Sequence, residues 1–318
     1  MSLLQVRDLH IHIGEQHLVR GVDLSIDAGE CLALVGESGS GKSLTALSLM
    51  QLLPSNARLE HREWLFAGQD MRSVDEAGWR KLRARRIAMV FQNPMTALNP
   101  TMTIGRQIAE VISLHTGKSR RAALARAVEL LDRLGIVNAP RRARQYPFEL
   151  SGGMLQRAVI AMAVACGPSL LIADEPTTAL DVTVQAEVLM LLRELCRDEG
   201  LGLLLITHDL GVVKDMARQL AVMYAGRIVE SGSCEQVLRD PAHPYTRALQ
   251  AAMPSLGGEV QSLQGIAGTP PDLSRQIDGC AFAPRCPQAM NICPRRLPPA
   301  FSPLPGQRVE CWLWEQQR

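Results

Sequence analysis

The sequence predicts an α/β fold: a mostly parallel sheet carrying a phosphate-binding loop, followed by a small Cys/Pro-rich C-terminal extension. Three observations predict it. The segment "CLALVGESGSGKSLTALSLM" (31–50) reads as an apolar strand, a glycine-rich loop and a helix. Further on, "LLIAD" (170–174) and "GLLLITH" (202–208) read as buried strands, with Val184, Val188, Leu191, Leu192 and Leu195 at helical spacing between them. Strand, helix, strand is the crossover unit of a parallel sheet. After about residue 240, Pro241, Pro244, Pro254, Pro270 and Pro271 break up regular structure and cysteines accumulate.

With 318 residues the chain exceeds a typical domain of ~150, so we expect a large domain over 1–242 and an appendage over 243–318. A hydrophobic share of 47% with 21% charge is enough for a real core. The net charge of +2 argues neither for nor against nucleic acid. The arginine runs "RKLRARR" (80–86) and "RRAR" (141–144) read as solvated helical faces, with a partner or lipid headgroup as the alternative. The N-terminus lacks the basic region and apolar run of a secretory signal. The stretch 158–173 is interrupted by Gly167, Pro168 and Ser169, short of the ~20 residues a membrane span needs. A soluble, cytosolic chain is expected, and there clustered cysteines suggest metal binding over disulfides.

Residues 3–35 read as strands, with Leu9, Ile11 and Ile13 alternating with His10 and His12. An exposed strand face is favoured over metal ligation for those histidines, because no cysteine or carboxylate pattern flanks them. From 104 to 165 the pattern is helical. Ser119 is a cap before Leu124, Val128, Leu131 and Leu134.

"GESGSGKS" (36–43) fits G-x-x-x-x-G-K-[ST] in full and sits between a strand and a helix. Its glycines let backbone N–H groups turn inward onto phosphate oxygens, and the following helix start adds positive partial charge. The expected nucleotide-binding set is Gly36, Ser38, Gly39, Ser40, Gly41, Lys42, Ser43 and Leu44. Lys42 would bridge β- and γ-phosphates and Ser43 would ligate Mg²⁺. "TGKS" (116–119) is a decoy, with Ile112 in place of the first glycine and no strand leading in. In "LLIADE", Asp174 can hold Mg²⁺ and Glu175 can orient an attacking water.

With "LSGGMLQR" (150–157) the chain resembles the ATP-binding-cassette (ABC) ATPases. The resemblance spans residues 3–235 and implies a RecA-like core with a helical subdomain inserted at about 95–158. It implies that Ser151, Gly152 and Gly153 meet the γ-phosphate of ATP held by an opposing subunit. Gln92 in "FQNPMTALNP" matches the glutamine that contacts Mg²⁺ and links the site to the helical subdomain. Asp181 in "TTALD" matches the residue facing the partner's site, and His208 in "ITHD" matches a histidine on the γ-phosphate. One position departs from the pattern. The family commonly stacks an aromatic on adenine near the end of the first strand, where this chain has Ile13 and no aromatic before Trp64.

A single cassette followed by "HPYT" (243–246) and "GCAFAPRCPQAMNIC" resembles the ATPase subunits of dipeptide, oligopeptide and nickel importers. That implies ATP-driven uptake of peptides, nickel or a metal chelate, at the cytoplasmic face of the inner membrane. The implied partners are two membrane permease subunits, a second ABC ATPase (a paralogue or an identical copy) and, indirectly, an extracytoplasmic binding protein. Nucleic acid is not among them. The permease's coupling helix should dock near Gln92–Pro100. The alternative is a soluble ABC ATPase of DNA repair or translation, and an exporter's ATPase is a third reading.

Cys280, Cys286, Cys293 and Cys311 are spaced C-x₅-C-x₆-C-x₁₇-C, unlike the C-x₂-C pairs of zinc ribbons. A [4Fe–4S] cluster is favoured over zinc, with unligated thiols as the open alternative. Cys31, Cys166, Cys196 and Cys234 read as small core or surface residues.

Overall fold

The computed structural model describes residues 2–178, 180–252 and 265–317. Ala179 of "TTALD" and Pro254 of the proline-rich stretch lie outside the described residues. The chain divides into two compact units, one made of residues 1–3, 26–31 and 66–206, the other of 4–25, 32–65 and 207–318.

In the second of these, β1 (Ser2–Ile13) and β2 (Gln16–Asp27) carry alternating apolar residues. Leu4, Val6, Leu9 and Ile11 of β1 are buried. β3 (Cys31–Val35) is buried at all five positions, as a central strand must be, and runs through the loop into α1 (Lys42–Ser48). β4 (Ala57–Glu60) pairs with the end of β1, Ile11 opposite Leu59, and β5 (Glu63–Phe66) pairs with β1 as well. His10 and His12 are half-buried instead of exposed, because His17 from β2 lies over them. The His12 and His17 rings stack at 4.0 Å, and His17 Nε2 is 3.0 Å from His10 Nδ1. Burial, then repulsion from His12 and His10, lowers the His17 pKa to about 4.

The other unit holds β6 (Gln69–Asp70), α2 (Glu76–Leu82) and the parallel strands β7 (Ile87–Val90), β8 (Leu170–Asp174) and β9 (Gly202–Ile206). Val90 is in register with Ala173, and Asp174 with Ile206. Between β7 and β8 come α3 (Pro94–Ala97), α4 (Ile104–Thr116), α5 (Arg120–Arg133), α6 (Ala139–Arg142) and α7 (Gly152–Val164). Ser119 caps α5 by accepting the Ala122 N–H, so "TGKS" is a helix start. Leu124 is 44% exposed: α5 buries Ala123, Ala127, Leu130 and Leu131, and these small alanines turn the buried stripe away from it. α8 (Val182–Glu199) buries Val188, Leu191, Leu192 and Leu195 and connects the parallel pair β8 and β9, the crossover expected from the spacing.

The chain then returns to the unit that holds β3. α9 (Leu210–Met216) precedes β10 (Gln219–Tyr224), which pairs parallel with β3, and β11 (Arg227–Ser233) folds back antiparallel on β10. α10 (Cys234–Arg239) and α11 (Pro244–Ala251) follow. The end of the chain supplies β12 (Arg308–Val309), an edge strand on β11 with Ser231 opposite Arg308. Arg308 is paired with Asp23 at 2.6 Å and Arg227 with Glu310 at 2.8 Å. Glu230 is buried, and the Ala242 and His243 N–H groups and the Gln307 amide that it accepts offset its desolvation. Among the described residues no helix is long and apolar enough to cross a membrane.

Candidate functional site

In the phosphate loop, Gly36, Gly39 and Gly41 adopt φ of +154°, +77° and +104°. A Cβ on Gly36 would lie 2.1 Å from the Met223 carbonyl oxygen, and one on Gly41 2.8 Å from Met223 Cε. Close approach to backbone requires Gly36; at Gly41 the nearest atom is the end of the flexible Met223 side chain, so its φ and the Leu18 carbonyl oxygen at 3.2 Å weigh more, whereas Gly39 faces open space and is required only by its backbone angle. Lys42 is buried and donates to the carbonyls of Gly36 (2.8 Å) and Glu37 (2.9 Å), with Ser40 Oγ at 3.4 Å. The ammonium thus lies on the inner side of the loop. Ser38, Gly39 and Ser43 are exposed, Ser40 is buried and Leu44 is half-buried. Thr45 Oγ1 donates to the Gly41 carbonyl and closes the first turn of α1. His208, after β9, is exposed, and its neighbour Asp209 caps α9 by accepting from Gly211 and Val212.

In the other unit, β8 delivers Asp174, buried, and Glu175, half-buried, at its C-terminal end. Glu175 has φ +48°, a left-handed conformation that costs a non-glycine residue about 1–2 kcal/mol. Strain of this kind persists where neighbours over-determine it. Here the Glu175 N–H donates to the Ile206 carbonyl (2.9 Å), and its Oε2 accepts from Gln92 Nε2 and Thr178 Oγ1, both at 2.9 Å. The geometry therefore brings Gln92 and Glu175 together, a pairing that sequence order alone did not show.

Ser151 caps α7 by accepting the Met154 N–H, leaving Ser151 and Gly152 exposed at the helix start. A Cβ on Gly153 would lie 2.5 Å from Val184 Cγ1, so that glycine lets α7 close on α8. Asp181 caps α8 by accepting the Val184 N–H at 3.0 Å. The "LSGGMLQR" segment and Asp181 thus start adjoining helices, and Ser151, Gly152, Asp181 and Val182 are all exposed.

Sequence reasoning missed the residues that hold the phosphate loop from the C-terminal side. Glu37 gives its N–H to Tyr245 Oη (2.8 Å), and its carboxylate takes both Arg285 terminal nitrogens (2.6 and 3.0 Å). The "P-R-C" and "H-P-Y" spacings were the available signal, but neither names its partner.

Cys280, Cys286, Cys293 and Cys311 line one cavity of about 10 Å³, together with His243 and Trp312. That is room for one water. Burial raises the Cys280 and Cys311 thiols to about 11 and raises Cys286. Among the described residues no group of three or more His, Cys, Asp or Glu is placed to hold a metal ion. Zinc and an iron–sulfur cluster alike thus lack a preformed ligand set among the described residues. Cys31, Cys196 and Cys234 are buried and Cys166 half-buried, in keeping with small packing residues.

A separate cavity of about 680 Å³ lies among α4, α5 and α6, lined by Arg106, Lys118, Arg120 and Arg144 around Leu124 and Val128.

These features define a nucleotide-handling ATPase, and the comparisons with known proteins give its class: the chain belongs to the ABC transporter family, whose model matches residues 19–178. It is an ATP-hydrolysing member of that family with the P-loop ABC fold. A second model, "Oligopeptide/dipeptide transporter, C-terminal region", matches residues 229–293. The oligopeptide transport ATP-binding protein OppD of Bacillus subtilis is 49% identical over 318 residues, covering 98% of this chain and 88% of that protein. The dipeptide transport ATP-binding protein DppD of the same organism is 44% identical over 321 residues, covering 99% and 96%. Among solved structures, the dimeric ABC transporter cassette MJ0796 superposes with a TM-score of 0.64 at 27% identity, covering 73% of this chain and 98% of that one.

Proposed function

We propose that this chain is the ATP-hydrolysing subunit of an importer for peptides. The observation that carries this is the segment after the cassette, residues 229–293, which matches the oligopeptide/dipeptide C-terminal region. Full-length relatives are named for oligopeptide and dipeptide transport, which favours peptides over nickel or a metal chelate. The partners in this reading are two permease subunits, a second ABC ATPase and, indirectly, an extracytoplasmic binding protein. The chain sits peripherally at the cytoplasmic face of the inner membrane. Exposed Phe91 and Met95, beside Gln92, offer an apolar surface for the permease's coupling helix, and the cavity lined by Leu124 offers a second.

Residue roles follow from chemistry. The loop's N–H groups and Lys42 hold the ATP phosphates, while Ser43, Gln92 and Asp174 supply oxygen ligands suited to Mg²⁺. When bound by these residues, Mg²⁺ would supply charge neutralisation for the transferred phosphoryl. Glu175 orients the attacking water and His208 hydrogen-bonds the γ-phosphate. Ser151, Gly152, Gly153 and Asp181 serve the nucleotide of the partner cassette, for which their exposure suits them. ATP favours the closed pair and hydrolysis releases it, so the ATPase cycle drives the permease by differential affinity.

The test is purification of the tagged chain from detergent-solubilised membranes. Two permeases and a second ATPase should co-purify, and peptide-loaded binding protein should stimulate hydrolysis in proteoliposomes. Stimulation by DNA or ribosomes, with no permease recovered, would instead establish the repair or translation reading.

We also propose that the four C-terminal thiols would ligate an iron–sulfur cluster, whose bulk requires the cavity of about 10 Å³ that they line to open on loading. Supporting this, His243 Nδ1 accepts the Tyr245 N–H, which leaves the proton on a buried Nε2 with no partner among the described residues. His243 is among the residues lining the thiol cavity, and an imidazole N–H suits a sulfur acceptor. A bound cluster would staple the extension. Anaerobically purified protein should carry iron and sulfide and absorb in the visible. Colourless protein lacking iron would overturn the reading.

A further inference from the structure

The C-terminal extension contributes groups to the phosphate loop itself. Arg285, with its side chain only 4% exposed, reaches back to Glu37, the second residue of the loop. Both terminal nitrogens of its guanidinium bind the Glu37 carboxylate, at 2.6 and 3.0 Å. The rest of the guanidinium is spent on the same corner: Nη1 also donates to Tyr224 Oη (3.2 Å), Nη2 to the Ile266 carbonyl and Nε to the Ala267 carbonyl. Tyr245, fully buried on α11, accepts the Glu37 N–H at 2.8 Å. Its ring packs with Tyr224 and Phe282 at centroid distances of 4.5 and 5.4 Å, so the hydroxyl cannot swing away. Pro270, Pro271 and Leu273 flank residues 37–40 across a space of about 20 Å³.

These contacts have a shared consequence. A phosphate loop works by holding N–H groups convergent before the anion arrives. Glu37 stands between β3 and that array: its N–H is committed to Tyr245 and its side chain to a part-buried bidentate pair, the geometry in which a lysine is a poor substitute for arginine. Lys42 in turn donates to the Glu37 carbonyl, so the position of this residue reaches the phosphate-binding ammonium directly.

We propose that Arg285 and Tyr245 are positioning residues for ATP binding, bracing the phosphate loop at Glu37 from the C-terminal extension. This rests on the reading that residues 36–43 hold the ATP phosphates. The extension is then part of the nucleotide site's support and does more than mark the subfamily.

The experiment is a double-mutant cycle on the full-length chain, with Glu37→Gln and Arg285→Gln singly and together, alongside Arg285→Lys, Tyr245→Phe and Lys42→Ala. MgATP affinity is read by calorimetry, and KM and kcat by phosphate release. Each member of the pair, changed alone, should weaken MgATP roughly tenfold, the ratio that 1.4 kcal/mol makes, and raise KM more than it lowers kcat. The double variant should be no weaker than the worse single, because the two act through one contact. Arg285→Lys should recover part of the loss, and Tyr245→Phe should weaken MgATP to a lesser degree. If Arg285→Gln does not fold, Glu37→Gln and Arg285→Lys carry the cycle. A lowered melting temperature with unchanged MgATP affinity would mean a purely structural contact and overturn the brace. Wild-type affinity in all the Glu37 and Arg285 variants, with Lys42→Ala inactive, overturns the brace and leaves the loop's role standing. Unchanged affinity in Lys42→Ala would strike the phosphate-loop reading itself.

Discussion

Glu175→Gln retains ATP and stops turnover. The substitution conserves size and the left-handed backbone at φ +48°, so the strain already accommodated at the end of β8 is unchanged. What changes is the charge and the proton affinity of the side chain. Glu175 Oε2 is an acceptor for both Gln92 Nε2 and Thr178 Oγ1. An amide can present its oxygen to those two donors, which preserves the local fold, but its NH₂ group cannot take a proton from water. General-base contributions are typically 10²–10⁴-fold, so hydrolysis should fall by about that factor while nucleotide affinity stays near wild type. Phosphate release and calorimetry measure the two quantities separately. In the proposed function ATP stabilises the closed cassette pair, and on that reading the variant should also accumulate as a nucleotide-bound dimer by light scattering. Hydrolysis at the normal rate would remove Glu175 from the reaction and leave the strain at that residue without a catalytic account.

What the sequence made legible was local, and what it hid was long-range. The phosphate loop, the carboxylates after β8 and the helix start at Ser151 are each written in a short run of residues, because each depends on backbone angles and on one adjoining helix or strand. Those runs led to the fold class and to the family. Leu124 shows a limit of helical spacing, which gives a stripe, while only packing shows which of two neighbouring stripes is covered. His10 and His12 were expected to face solvent, since nothing next to them in the chain reveals that His17 on the following strand stacks over them. The two-residue strand β12 is too short to leave any alternation, yet it pairs with β11 through Glu230 and Ser231. The bidentate pair of Glu37 and Arg285 is the extreme case: its residues lie at opposite ends of the chain, and neither has a local pattern that names the other.

Gly36→Ala destroys the nucleotide site, and Gly39→Ala does not. The two glycines look alike in the motif and both have positive φ, but their surroundings differ. A Cβ on Gly36 meets the Met223 carbonyl oxygen at 2.1 Å and its carbon at 3.2 Å. These are backbone atoms of β10, whose parallel pairing of Val222 with Val35 fixes the strand just before the clash. Relief therefore requires breaking that ladder or swinging the loop, and swinging the loop moves the Gly36 carbonyl to which Lys42 donates. Overpacking that cannot relax costs about 1–3 kcal/mol or more, and here it falls on the atoms that shape the anion pocket. MgATP affinity should drop by at least about a hundredfold, the ratio that ~2.7 kcal/mol makes, with a lowered melting temperature. At Gly39 nothing lies within 4 Å, so alanine meets only the left-handed backbone penalty of about 1–2 kcal/mol. Its affinity should fall much less. Calorimetry on the pair decides the matter: equal losses at both positions would mean that backbone angle alone governs the loop, and that the contact with β10 has no part in holding it.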